Sequence, residues 1–496
     1  MLSSGLTAIA ESAITAPIIL YLTVLASSHT LTQFLNEFRG GTGYLGGPSM
    51  LLNDPAFSLG FILVLVSIAV AVVLVAVIGG GFVLSAEYGT YLEAWTKNSV
   101  SIGDVLENGR RGWKRTAWTL LLTNIITWGP AVLGIALFLL LAPTIGPSFS
   151  LSGALFVILY AVVAGLLFLV SLIISIFTIY SIPAAVVDQV SGLSAIGRSF
   201  SFTASNFRIT LTYAIVRIIF QAISFSIIIL ASLIGLPLSS LATVVLSLFI
   251  TPILHSSKTM IYSYGRPGET EMPFELSQPI WNDFKWRLPR ASWRKVRLGL
   301  SEIGRFLTSP RNIPFHLLAT LALVLGIWLG NYVSANGLID ILAIQPGTIN
   351  PSVAGSFGPV LGIDIFANNW LVSIATGMAG IGFGVPSFQT ILFNGFIVGI
   401  IVPAFQENLT LLLAGLLPHG IIEIPSLVLS GSIGLKLGWA ALSSKVNPSP
   451  ESKELLSLTL RQTVYVVVGL APLFIIAGLI EGNITPIIMR LFGWTG

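Results

Sequence analysis

Cysteine is absent from all 496 residues, and only 9% of them are charged. The first absence excludes disulfides, thiolate metal sites and cysteine nucleophiles. The second excludes a soluble chain of this size, because 54% hydrophobic residues and a mean hydropathy of +0.91 leave too few charges to keep it in water. Histidine is scarce too, with four in the chain. No Walker-type loop, dinucleotide fingerprint or glycosidase-like pair of carboxylates occurs in a soluble segment. What remains is an all-α, polytopic membrane protein.

Apolar stretches long enough to span a bilayer number about eleven. The first lies within Met1 to Ser28, which has no basic leader and reads as a span and not as a removable signal. After a polar loop, His29 to Pro55, spans are expected at Leu59–Ser85, Ala117–Leu141, Leu155–Ile182, Ile209–Ile234 and Leu241–Tyr264. The second half adds Ile313–Gly330, Trp370–Gly382, Phe388–Val402, His419–Leu442 and Thr463–Ile480. An outer loop, Tyr332 to Ala367, separates the first two of these. The stretch Asn408 to Leu442 is too long for one upright crossing, so Pro418 is expected to mark a broken or re-entrant helix, with one tilted helix as the alternative.

Positive charge sets the orientation. Ser101 to Trp113 reads as an interfacial helix capped by Ser101, with Arg110, Arg111, Lys114 and Arg115 beside the next span. Ala184 to Arg208 follows the same plan, as a faint internal repeat or as an unrelated linker. Eight of the 24 Lys and Arg residues fall within Trp281 to Asn312. That concentration divides the chain into a six-span domain (1–264), a basic linker (265–312) and a second membrane domain (313–496). By the positive-inside rule the linker and the N-terminus face the cytoplasm of a cell-membrane protein. With Trp281, Trp286 and Trp293 interleaved, the linker reads as a segment against anionic lipid headgroups, not as a nucleic-acid surface.

Burying a histidine and carboxylates in a membrane is costly unless each finds a partner. His419 and Glu423, four apart, share one helix face. Span parity brings Asn331, Asn369 and Glu481 to the same outer level, and Asn394 lies inside a span. If any residues hold a metal they are His419, Glu423 and Glu481, since imidazole and carboxylate suit zinc. The same set suits cation or proton transport, or polar packing. No residue is assigned a catalytic role, and no cofactor is specified. Glycines form a second theme: Gly420, Gly431, Gly434 and Gly438 around one helix, Gly395 and Gly399 on another, with spacings that permit close helix approach within one bundle or across a homodimer or larger membrane complex.

Several blocks are similar to one known family, in its order. They are Phe366-Ala-Asn-Asn-Trp370, Ala375-Thr-Gly-Met-Ala-Gly-Ile-Gly382, Leu392-Phe-Asn-Gly-Phe-Ile-Val-Gly399, Leu417-Pro-His-Gly-Ile-Ile-Glu-Ile-Pro425 and Ile480-Glu481 through Pro486. Residues from about Pro310 to Gly496 thereby resemble the stage II sporulation protein M family of integral membrane proteins. The six spans before it resemble uncharacterised multi-span domains. The resemblance implies a membrane scaffold that works with peptidoglycan-degrading partners in spore formers, and it points to Asn369, Asn394, His419, Gly420, Glu423 and Glu481 without implying a mechanism. Three readings follow in order: a scaffold or assembly protein, a transporter or channel-like protein using the polar cluster, and an intramembrane metal hydrolase.

Overall fold

A computed structural model describes residues 66, 75–97, 100–141, 151–233, 238–265, 288–335, 358–406 and 408–494. The expected first span, most of the second, the loop His29 to Pro55, linker residues 266–287 and most of the outer loop lie outside the described residues. Every regular element described is helical. In chain order these are α1 (Gly80–Lys97), α2 (Ile102–Leu141), α3 (Leu151–Phe177), α4 (Ser181–Val187), α5 (Leu193–Ser205), α6 (Phe207–Leu233), α7 (Ser239–Val245) and α8 (Thr251–Tyr264). They continue with α9 (Leu288–Thr308), α10 (Ile313–Val333), α11 (Pro359–Ala379), α12 (Val385–Ile401), α13 (Leu409–Val446), α14 (Pro450–Gly469), α15 (Ala471–Leu479) and α16 (Thr485–Leu491).

Among the described residues 8 helical runs are long and apolar enough to cross a membrane, and Val385–Ile401 is a shorter apolar helix. The protein is thus an all-α, multi-pass membrane protein. Its spans keep large apolar side chains on the outside: Leu166, Leu169 and Ile173 of α3 are 57%, 53% and 58% exposed, a surface that only lipid solvates without cost.

Three local expectations change. No break occurs at Pro418: α13 is one helix of 38 residues with Pro418 and Pro425 inside it. Each proline removes one backbone donor, but helices packed along α13 hold it in line, as membrane bundles commonly do. At 1.5 Å per residue α13 is about 57 Å long, so it reaches beyond a core of about 30 Å. The span expected at Trp370–Gly382 is short for a crossing unless it takes in the asparagines before it; the helix does take them in, and it starts earlier still, running from Pro359 to Ala379. The interfacial helix at Ser101 and the span after it form one helix, α2. Ser101 still caps it, with its hydroxyl 3.2 Å from the Asp104 backbone N–H and its own N–H donating to Asp104 at 2.8 Å.

The chain forms two compact units. The smaller comprises Ala76–Ile223 and Ile250–Glu275. Its core joins Tyr180, Ala184, Ala195, Phe202 and Tyr262. Asp188 ties this core to its rim, accepting from Tyr262 Oη at 2.5 Å and pairing with Arg198 at 2.8 Å. Glu87 accepts from Tyr91 at 2.8 Å and lies 3.2 Å from His255 Nδ1.

The larger unit comprises Met1–Val75, Ser224–Phe249 and Leu276–Gly496. Helices α10 and α12 meet backbone to backbone, because a methyl on Gly326 or Gly330 would overlap the carbonyl of Leu392 or Phe396, and one on Gly395 or Gly399 that of Leu323 or Ile327. Gly434 sits against Gly380 and Ser387, Gly438 against Gly384, and Gly431 against Ile391. Gly420 meets only Leu416 and Ile424 of its own helix, so it is not part of a seam. A core of Ile303, Phe306, Leu429, Ile433, Val466 and Phe474 locks α9 onto α13, α14 and α15. Asp364, expected in a loop, lies on α11 and accepts from the backbone N–H groups of Ser240 and Leu241 at 2.8 and 3.1 Å. It caps α7 from another helix and so ties residues 224–249 to this unit.

Candidate functional site

His419 and Glu423 fall about 15 and 21 Å from the N-terminal end of α13, well inside the helix. The separation of four places both on the face that meets the chain between α15 and α16. There the helix widens into one π-type turn, Ile480–Ile484, which carries Glu481. Such a turn inserts a residue and re-aims the side chains on it, which is why it recurs at functional sites. Thr485 follows at the first position of α16.

The three side chains converge. One ligating atom from each of His419, Glu423 and Glu481 lies within 4.8 Å of the others. His419 Nε2 is 3.9 Å from Glu481 Oε2, and His419 Nδ1 is 3.3 Å from Thr485 Oγ1. His419 is 9% exposed, so the imidazole is effectively out of solvent. Asn369 of α11 stands beside Glu423. The other carboxylate oxygen, Glu423 Oε2, is buried without a hydrogen-bond partner. Two carboxylates this close in a low-dielectric site repel unless one of them takes up a proton or something positive sits between them.

Of the residues singled out in the sequence, His419, Glu423, Glu481 and Asn369 therefore come together. Asn394 instead donates to the Thr390 carbonyl of its own helix at 2.7 Å, and the backbone of Asn331 abuts Gly399. Asn331 thus belongs to the α10–α12 seam, and Asn394 is satisfied within α12. Two further features were not singled out in the sequence. Thr485 stands four residues after Glu481, the same spacing as His419 to Glu423. A run of buried hydroxyls, Ser426, Ser430 and Ser373, leads away from the cluster, with Ser373 and Ser430 bonded at 2.5 Å and Ser430 donating to the Ser426 carbonyl at 3.0 Å.

The donor set of one imidazole and two carboxylates suits a divalent metal of the zinc type. Tetrahedral ligands sit about 3.4 Å apart around such an ion, so closing on one needs side-chain shifts of about 1 Å. Three protein ligands would leave a coordination position open.

Comparison with known proteins bears on the same region. A family model described as stage II sporulation protein M matches residues 315–486, which include all of the cluster. An uncharacterized protein of Methanocaldococcus jannaschii is 30% identical over 164 residues, covering 31% of this chain and 85% of the relative. A second uncharacterized protein of that organism is 31% identical over 121 residues, covering 24% of this chain and 54% of the relative. No solved structure matches.

Proposed function

Through residues 315–486 the chain belongs to the stage II sporulation protein M family, and from that premise we propose that its second membrane domain binds a divalent cation at His419, Glu423 and Glu481 and conducts it as a transporter or channel-like protein. The observation that carries this reading is the meeting of three ligating side chains from two distant stretches of the chain, one carboxylate oxygen of which has no partner. Polar packing alone would need the two carboxyls to share a proton, whereas a bound cation lets both stay ionised. Around the cluster, Thr485 holds His419 in register, as outer partners do for metal ligands, and the Asn369 amide stands beside Glu423. The hydroxyl run through Ser426, Ser430 and Ser373 supplies polar groups along the same helix interface.

The scaffold reading is favoured by a different observation, the glycine seams that lock α10 to α12 and α13 to its neighbours. A rigid bundle suits an assembly platform as well as a carrier. An intramembrane hydrolase would use the open metal position for water, and no further residue supports it. In the full arrangement we infer about eleven spans, residues 313–496 as the working domain, and the basic linker on the cytoplasmic face of the cell membrane.

Metal content and flux separate these readings. The purified full-length chain is expected to retain one zinc or cobalt ion after dialysis, and proteoliposomes loaded with a metal-sensitive dye are expected to show uptake. His419→Ala and the pair Glu423→Gln/Glu481→Gln should abolish both. A chain that holds no metal above a chelator-treated control sinks the cation site, and retention without any flux returns the scaffold reading to first place.

A further inference from the structure

Farther along α13 lies a second polar site that the cation reading does not use. A cavity of about 460 Å³ opens between α9, α13 and α14. Three cations line it, Arg305, Lys436 and Arg461, against one carboxylate, Glu302. Arg305 takes up Glu302 at 2.8 Å. Lys436 donates to the Gln462 side-chain oxygen at 2.8 Å, and its ammonium sits 5.4 Å from the centre of the Phe306 ring. Arg461 lies 5.7 Å over the Tyr465 ring. Among the described residues neither Lys436 nor Arg461 forms an ion pair within 4.0 Å, and Glu302, which attracts Lys436 from farther off, is already taken up by Arg305, so the cavity keeps a surplus of positive charge.

Three leucines of the lining, Leu298, Leu455 and Leu458, face outward. Leu455 and Leu458 are 41% and 54% exposed beside the cations. The wall opposite is α9, whose Arg290, Arg294, Lys295, Arg297 and Arg305 make the local field positive. A pocket with uncompensated cations at its head and bare leucines at its side, at the end of membrane helices, matches one chemistry, a phosphate diester carried on acyl chains. Free phosphate would satisfy the cations and leave the leucines uncovered. We propose that this cavity binds an anionic phospholipid, its phosphate on Lys436 and Arg461 and its chains along Leu455 and Leu458. The lipid bridges α9 to α13 and α14, so the basic linker is anchored at a defined site as well as by general surface charge.

The test uses the purified full-length chain in detergent, with binding of phosphatidylglycerol and phosphatidylcholine followed by native mass spectrometry. Phosphatidylglycerol should bind at least about tenfold more tightly, and Lys436→Gln/Arg461→Gln should remove about 25-fold of its affinity, taking roughly fivefold for each cation near an anionic group. The charge-preserving Lys436→Arg/Arg461→Lys pair should keep it, and Arg490→Gln, a cation outside this cavity, should change nothing. Should the double substitution alter elution or melting, Arg461→Gln alone carries the test, since that side chain is exposed. The proposal fails if both lipids bind alike, or if a well-folded glutamine variant binds phosphatidylglycerol as the parent does. It fails equally if inorganic phosphate at matched concentration displaces the lipid fully, which would make a free anion the ligand.

Discussion

An imidazole held among membrane helices needs a fixed tautomer before it can ligate anything, and Thr485 supplies the means. With Nδ1 3.3 Å from the Thr485 hydroxyl, His419 turns Nε2 toward Glu481. Removing that hydroxyl leaves the ligands in place and frees the ring, so Thr485→Val should weaken cobalt binding by about tenfold, the lower end for outer-shell partners. Thr459→Val, a buried threonine remote from the cluster in sequence, should leave cobalt affinity unchanged. Equal affinity of Thr485→Val and the parent in a competition titration would show that Thr485 merely fills space. Most of this centre was legible in the chain. His419 and Glu423 announce a shared face by their spacing, and Glu481 and Asn369 follow from counting crossings. Thr485 was not legible, because buried threonines are common in these helices and most of them bond to the carbonyl four residues back. Asn331 and Asn394 misled for the converse reason: an amide in a membrane helix can be satisfied locally, as Asn394 is by Thr390.

Helix pairs here are set by what glycine leaves out. The α10–α12 seam places each glycine of one helix on a carbonyl of the other, so even one methyl must push backbone against backbone. Gly395→Ala should therefore cost about 1–3 kcal/mol despite its gain in helix propensity. Gly304 on α9 has nothing within 4 Å of an added methyl, and Gly304→Ala should stabilise by up to about 1 kcal/mol. Opposite shifts in melting temperature check the pair, and shifts of the same sign would mean that the seam relaxes without strain. The four-residue glycine spacings were visible in the sequence, but their partners were not, since periodicity names a face and leaves open what it meets. The contact of Gly299 with Gly469 joins lone glycines with no spacing to mark them, whereas Gly362 and Gly478, which also meet, each stand four residues from a second glycine, Gly358 and Gly482. At Pro418 local propensity pointed to a break, and packing along the whole of α13 outweighed it.

The whole molecule turns on which side of the membrane each polar end meets. Asn408 caps one end of α13 and Ser449 lies just past the other, so an unbroken helix of about 57 Å puts them on opposite faces of a bilayer whose core is about 30 Å. The same helix carries the cation cluster toward its Asn408 end and the lipid cavity toward its Ser449 end. If the basic linker faces the cytoplasm, the cations of α9 draw anionic lipid on that side while the metal ligands sit nearer the outer side. The absence of cysteine makes this readable one residue at a time, because any introduced thiol is the sole target. In right-side-out cells a membrane-impermeant maleimide should label Asn408→Cys and should reach Ser292→Cys and Ser449→Cys only after permeabilisation. Labelling of Ser292→Cys and Asn408→Cys from one side would overturn the orientation and, with it, the placement of the basic face against the inner leaflet. Labelling of Asn408→Cys and Ser449→Cys from one side would be more damaging, since α13 could then not cross the membrane as a single helix.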